Sequence, residues 1–301
     1  MPAPSLIVAG LKSELDMPVF ATIAKRRGVL RIAGEDRVSF LQGLVTNDVA
    51  RAAAGQPVYS ALLTAQGRFL HDFFIVPQTD ALLLDCEAER RADLMRRLGI
   101  YKLRAKVTIE DKTGSLAIVL LWGDALDPDA LRGNDAAAIF ADPRLPALGA
   151  RAIVAADNAA SWIAKYGFNA ANEDSYDHHR IALGVPDGSR DLPVERALLL
   201  ENGFDELHGI DWQKGCYIGQ EVTARMRYRS LVRKQLLPVS IDGPTPDFGA
   251  PITLDGAEAG EMRSAVEGLG LALLRQEALD KVGPGRELLC AKATLRPLPP
   301  T

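Results

Sequence analysis

The sequence predicts an α+β protein that ends in a small β-barrel, and three observations predict it. Strand-like and helix-like runs are mixed without regular βαβ alternation, which disfavours a doubly wound sheet. After Ser230 the texture changes to short strands broken by Gly, Pro and Asp turns, the pattern of a small barrel. At 301 residues the chain exceeds the usual size of one continuous core, so two or three compact units are expected, with a boundary near residue 231.

The elements follow in order. Val29–Ala33 reads as a strand, and Gly34–Asp36 as the turn that starts a helix capped by Asp36, with Val38, Leu41, Leu44 and Val45 at helical spacing and an end near Thr46-Asn47-Asp48. Tyr59–Leu63 and Phe69–Val76 are two apolar runs separated by Thr64–Gly67, a hairpin signal. Glu87–Leu98 is an amphipathic helix with Leu94, Met95 and Leu98 inward, arginines toward solvent and Gly99 as its stop. Val107–Glu110, Leu116–Trp122 and Arg151–Ala155 read as strands, with loops between them over Asp124–Pro146. Glu173–Leu183 is a helix stopped by Gly184 and Pro186, with His178-His179 on its surface, and Asp187–Pro193 is a polar loop. Leu236–Ile241, Ile252–Leu254 and Leu269–Leu274 are the short strands of the terminal module. No internal repeat is visible.

The bulk numbers exclude several classes. Hydrophobic residues make up 48% and charged residues 25%, a globular profile. A net charge of −4 argues against a protein that coats nucleic acid or anionic membrane. No run approaches the 18 or so apolar residues of a spanning helix, and Pro4–Leu11 is too short and lacks the basic lead of a signal peptide. Three widely spaced cysteines, Cys86, Cys216 and Cys290, do not form a disulfide framework. A soluble cytoplasmic monomer with reduced thiols and no membrane partner is the expectation.

The densest constellation is Lys214-Gly215-Cys216-Tyr217-Ile218-Gly219-Gln220-Glu221, followed by Arg225, Arg227 and Arg229. Two glycines around one cysteine suggest a tight loop, and the pattern from Gly219 onward is helical, which puts Cys216 just before a helix N-terminus. With Lys214 and the arginines nearby, that position favours thiolate over thiol, lowering a pKa of about 8.5 by roughly one to two units. A buried structural cysteine in a Gly-rich turn is an equal reading on physics alone. No CxxC or HxxxH spacing points to a metal site in the chain.

The octapeptide Lys214–Glu221 resembles the signature of the YgfZ proteins, also called the CAF17 or IBA57 family, relatives of the glycine-cleavage T-protein. Further matches are Gly34-x-Asp36 with Phe40–Gly43 and Thr46–Asp48; Thr64–Asp72; Arg180-x-x-x-Gly184-x-Pro186; Asp191–Pro193 with Glu195 and Glu201; and Arg233-Lys234. The resemblance implies an aminomethyltransferase-like folate-binding fold of subdomains around a central pocket. Residues 1–230 would be two interwoven α+β subdomains and residues 231–301 the C-terminal β-barrel.

It further implies a tetrahydrofolate-binding accessory factor in iron–sulfur cluster assembly or repair, with iron–sulfur client or assembly proteins as partners. Cys216 is the reactive group, with Lys214 and Asp72 as the other catalytic candidates. Glu201, and second Glu195, are the carboxylates for the pterin edge; Tyr217, Gln220, Arg225 and Arg227 complete the cofactor-binding set, the arginines suiting folate's acidic tail. The chain has His71-Asp72 where the aminomethyltransferases carry paired acidic residues, which counts against the glycine-cleavage reaction itself. The alternatives are a folate-dependent one-carbon transferase acting on a protein, an amine or RNA, and a module whose basic run docks RNA or an acidic partner.

Overall fold

The computed structural model describes residues 18–131, 135–283 and 286–299; Pro4–Leu11, and a short part of the expected Asp124–Pro146 loop, lie outside them. The first elements are β1 (Phe20–Ile23), β2 (Arg27–Ala33), α1 (Arg37–Gln42), α2 (Val49–Ala53), β3 (Val58–Leu63), β4 (Phe69–Gln78), β5 (Ala81–Glu87) and α3 (Arg91–Lys102). They continue with β6 (Thr108–Asp111), β7 (Leu116–Trp122), β8 (Ala138–Ala141), β9 (Ala150–Ala155), α4 (Ala159–Lys165), β10 (Asn169–Ala170), α5 (Glu173–Ala182) and α6 (Gln220–Tyr228). The C-terminal part holds β11 (Lys234–Asp242), β12 (Pro251–Leu254), β13 (Ala257–Val266), β14 (Leu269–Arg275), α7 (Gln276–Leu279), β15 (Leu288–Cys290) and β16 (Ala293–Pro297).

Two five-stranded sheets form the body, in the orders β3-β4-β5-β2-β6 and β10-β1-β7-β9-β8, and β11 to β16 close into a barrel in the order β11-β14-β13-β12-β15-β16. The expected α+β class with a terminal barrel is what the chain adopts. β1 lies in the second sheet, the chain then builds the whole of the first from β2 to β6, and β7 returns to the second, so the first sheet is a continuous piece of sequence and the second is not.

Alternation along the strands sends side chains to two different cores. Tyr59, Ala61, Phe74 and Val76 face the second sheet, where they meet Ile118, Leu120 and Phe140. Leu62, Phe73, Ile75 and Leu84 face the other way, under Phe40 and Leu41 of α1 and Leu94 and Leu98 of α3. Because both faces are covered, β3 and the first eight residues of β4 are buried throughout, which is why they read as unbroken apolar runs.

Several elements depart from expectation. The helix expected from Asp36 to about Asp48 ends at Gln42, and a second short helix starts only at Val49. The chain turns so that Val45 bridges Leu62 and the Thr46 hydroxyl accepts the Ala61 amide at 2.9 Å. Asp36 precedes α1, but its carboxylate accepts the Lys106 amide at 2.8 Å instead of capping. Ala81–Glu87, not anticipated as a strand, pairs with both β2 and β4, so the expected helix over Glu87–Leu98 begins only at Arg91. Gly99 does not stop that helix: a glycine costs a helix only about 1 kcal/mol, and the turn comes at Leu103, whose φ is 40°. Not all its arginines face solvent, since Arg90 donates to the Leu70 carbonyl. His179 is half-buried, its ring stacked 6.3 Å from that of Trp122.

The space between the sheets also holds charge. Asp85 of β5, fully buried, accepts from Arg27 at 2.7 Å and from Arg151 of the opposite sheet at 2.7–2.8 Å. Arg151 and Arg144 share Asp142, and their guanidinium groups lie 4.1 and 4.9 Å from the Phe74 ring centroid. Arg180 binds Asp177 and Asp191, and the other oxygen of Asp191 accepts the Ser264 amide of the barrel at 2.8 Å. The expected polar loop at Asp187–Pro193 is thus an interior joint, because its carboxylate is committed to Arg180.

Removing one member of such a group leaves an uncompensated buried charge, so Asp85→Ala is expected to lower unfolding free energy by about 3–5 kcal/mol, measured by urea denaturation. A loss under 1 kcal/mol would show that the two sheets do not depend on this carboxylate.

Candidate functional site

The loop carrying Cys216 is assembled from three distant segments. Thr46 donates its hydroxyl to the Gly209 carbonyl at 2.7 Å, and Asn47 donates its amide to the carbonyls of Tyr59 and His208, each at 2.7 Å. These bonds pin residues 208–211 to the edge of the first sheet. Asp211 then accepts the amides of Gln213 and Lys214 and turns the chain. Lys214 reaches back with its ammonium to the carbonyls of Gln42, Val45 and Asn47 at 2.5–3.0 Å. Burial lowers its pKa to about 8 despite Asp48 and Asp211.

The far end of the loop rests on glycine. Gly219 has φ 82°, and a Cβ there would lie 2.4 Å from the Thr64 carbonyl oxygen; at Gly67 of the hairpin, φ 71°, a Cβ would lie 2.9 Å from the Gly219 carbonyl oxygen. Only glycine tolerates both the left-handed backbone and the contact. Gly215 meets nothing within 4 Å. Tyr217 is buried, its ring 5.2 Å from the Lys214 ammonium, and burial pushes its phenol up to about 12. Gln220 accepts the Tyr217 amide at 3.4 Å. Between these anchors Cys216 is exposed, whereas Cys86 and Cys290 are buried.

Asp72 lies elsewhere, on β4 between the two sheets, 3% exposed. One of its oxygens accepts the Tyr59 hydroxyl at 2.8 Å and the other has no partner. Burial raises its pKa, only partly offset by Arg27 and the Tyr59 bond. Its neighbour His71 points the opposite way, to Asp93 at 2.9 Å, and burial lowers its pKa to about 4. A cavity of about 30 Å³ between the sheets is lined by Arg26, Arg27, Arg144, Arg151, Arg180 and Tyr176, among others, but not by Asp72. Arg180 has one buried nitrogen, Nη2, without a partner.

The other sequence candidates spread over the surface. Glu201 is half-buried in a 3-10 turn, Leu199–Asn202, and burial raises its carboxyl against the pull of Lys234 and Arg68. Glu195, at φ 61°, is exposed and pairs with Arg97 at 3.3 Å. Arg227 lies over the Trp212 ring at 4.2 Å and 3.6 Å from Asp205, and Arg225 is exposed. The fold therefore does not gather these residues around Cys216. What sequence reasoning missed is the scaffold: Gln42, Thr46 and Asn47 belong to the matched motifs, but their bonds to the loop span more than 160 residues. Asp85, Asp142, Arg144 and Arg151, set in apolar or loop sequence, carried no signal at all.

The fold and the sequence both have known counterparts. Residues 233–301 match the family model for the CAF17 C-terminal beta-barrel domain. The iron–sulfur cluster assembly factor IBA57, mitochondrial, of Homo sapiens is 34% identical over 84% of this chain and 76% of its own length. The mitochondrial IBA57 homologue of Coccidioides immitis is 32% identical over 85% of this chain and 71% of its own. Among solved structures, the glycine cleavage system aminomethyltransferase T of Bartonella henselae superposes with a TM-score of 0.73 over 93% of this chain and 85% of its own, at 14% identity, so the likeness is one of fold. The aminomethyltransferase-like fold is thereby borne out. The expected cytoplasmic location is corrected: the relatives are named as mitochondrial proteins.

Two outcomes follow from the loop geometry. Iodoacetamide should modify Cys216 alone in the native protein; Cys86, whose thiol burial pushes up to about 12, and Cys290 should react only after denaturation. Lys214→Met, which leaves three carbonyls without their donor, should cost about 1–3 kcal/mol and speed amide exchange in residues 42–48 and 211–219. Asp72 gives a third. A carboxyl raised by burial costs stability that appears as pH rises above its unfolded value of about 3.9. Asp72→Asn should therefore raise the melting temperature at pH 7, with the gain vanishing near pH 4; equal shifts at both would remove ionisation as the cause.

Proposed function

The chain belongs to the IBA57/CAF17 family of iron–sulfur cluster assembly factors, and from that premise we propose that it binds tetrahydrofolate and serves iron–sulfur protein assembly or repair through the Cys216 thiol. One observation carries the proposal: of three cysteines only Cys216 is exposed, on a loop held at one end by Lys214 and at the other by Gly219. An accessible thiol on a prearranged loop suits a group that must meet a partner or its cargo.

The folate part of the reading rests on the interior. An aminopyrimidinone edge offers donors to a carboxylate and an acceptor to a guanidinium; Arg180, which lines the cavity, has Nη2 without a partner among the described residues, and Asp72, outside the lining, has an oxygen of the other kind. A cavity of about 30 Å³ holds water-sized molecules, so a bicyclic ring enters only if side chains lining it move. In this reading Asp72 and Glu201 are the carboxylates for the pterin edge, and because neither lines the cavity as it stands, binding requires the site to rearrange. Bound tetrahydrofolate would supply one-carbon or redox-active pterin chemistry; the protein's own residues orient it and exclude water.

A second reading, a folate-dependent one-carbon transferase, is favoured by the raised carboxyl of Asp72, which holds a proton above the ordinary carboxylate range. Turnover of methylene-tetrahydrofolate with a defined acceptor, lost in Asp72→Asn, would select it.

Calorimetric titration with tetrahydrofolate tests the cofactor: micromolar binding should persist in Cys216→Ala and weaken about tenfold or more in Asp72→Asn and Glu201→Gln. Cys216→Ala should fail to complement cells lacking their own family member. Absence of binding to any folate would remove the cofactor, and full complementation by the Ala variant would remove the thiol.

A further inference from the structure

A second carboxyl faces Asp72 across a glycine. Glu87, which ends β5 rather than starting a helix, turns its side chain inward with 18% exposure. Gly188 stands between the two at φ 49°, and a Cβ there would lie 3.0 Å from Asp72 Oδ1 and 3.1 Å from Glu87 Oε2. Both oxygens are thus about 3 Å from one point and at most about 6 Å from each other, and two buried carboxyls that close do not ionise independently, because the first charge raises the cost of the second. Asp72 Oδ1, the oxygen aimed into this gap, is the one with no hydrogen-bond partner.

The surroundings decide which carboxyl takes the charge. Glu87 accepts the Ser189 hydroxyl on Oε1 and the Ser189 amide at 3.3 Å on Oε2, and the Arg90 guanidinium lies 4.0 Å from Oε2. Among the described residues Asp72 accepts only the Tyr59 hydroxyl, on Oδ2. The guanidinium groups that face Asp72 are committed elsewhere, Arg27 to Asp85 and Arg144 to Asp142, and Asp187 adds a negative charge 4.0 Å from Arg27. Burial raises both carboxyls, against Ser189 and Arg90 at Glu87 and against Arg27 and Tyr59 at Asp72.

We propose that Glu87 is a positioning residue for Asp72: it carries the single charge of the pair and keeps the proton on Asp72 Oδ1, so that Asp72 is a proton donor to a basic atom of the bound molecule. The inference rests on the transferase reading above, in which Asp72 holds a proton. The proton passes from Oδ1 to that atom, Asp72 becomes a carboxylate, and water restores the proton from the Glu87 side, the more exposed of the two.

Carbon-13 NMR of the full chain, labelled at the side-chain carboxyls of Asp and Glu, tests the pair with no ligand present. The Asp72 midpoint should fall by about one unit or more in Glu87→Gln. Asp72→Asn should lower the Glu87 midpoint by the same amount, since the coupling is reciprocal, and this arm decides the matter if Glu87→Gln does not fold. A midpoint indifferent to loss of the other carboxyl, or a Glu87 that titrates at higher pH than Asp72, overturns the proposal. Turnover of methylene-tetrahydrofolate should decline as pH rises through the Asp72 midpoint, and at lower pH in Glu87→Gln. A rate that rises through that midpoint makes Asp72 a base and sinks the donor role. Coupled midpoints without any turnover remove the transferase reading and leave the pair standing.

Discussion

The carboxylate of Asp85 is the constraint on which the body of the molecule turns. It sits with no solvent exposure on a central strand of the first sheet and is held by Arg27 of that sheet and Arg151 of the other. A buried ion pair is rarely a net gain over apolar packing, but once built it cannot lose a member cheaply. The consequence is geometric. The two sheets can close only where the guanidinium groups reach their carboxylates, so their separation and offset are set by Asp85 and Asp142, with Phe74 packed beneath Arg144 and Arg151. The same logic extends outward: Arg180 binds Asp191, and Asp191 holds the barrel through Ser264.

The loop of Cys216 is built on a different principle, hydrogen bonds from side chains to distant backbone. Thr46, Asn47 and Lys214 donate to carbonyls of distant segments, and they do so from both sides of the contact. The thiol is thus carried by a segment with little freedom although it faces solvent. The molecule separates a buried, charged interior containing Asp72 from an exposed thiol, and no direct contact joins them among the described residues.

Much of the fold was legible because its signals are local. The hairpin around Thr64–Gly67, the helix ended by Gly184 and the short strands after residue 234 each announce themselves within a dozen residues. The helix expected through Asp48 failed because Thr46 takes the Ala61 amide, a contact invisible to helical periodicity. β5 was missed because its apolar run is broken at Asp85, whose burial against Arg27 and Arg151 is a contact between distant segments.

The sequence by itself determined the family, the α+β class, the terminal barrel and the position of Cys216 before a helix, since motif identity and local backbone preference are written in neighbouring residues. Tertiary structure alone decided which charges are interior. Asp85, Asp142, Arg144 and Arg151 look like ordinary polar residues until two sheets close over them, and Asp187–Pro193 looks like a surface loop until Arg180 claims Asp191. Arg151 meets Asp85 across 66 residues of chain, and even the neighbours Asp142 and Arg144 are interior only because the sheets close over them, an approach that no local pattern encodes.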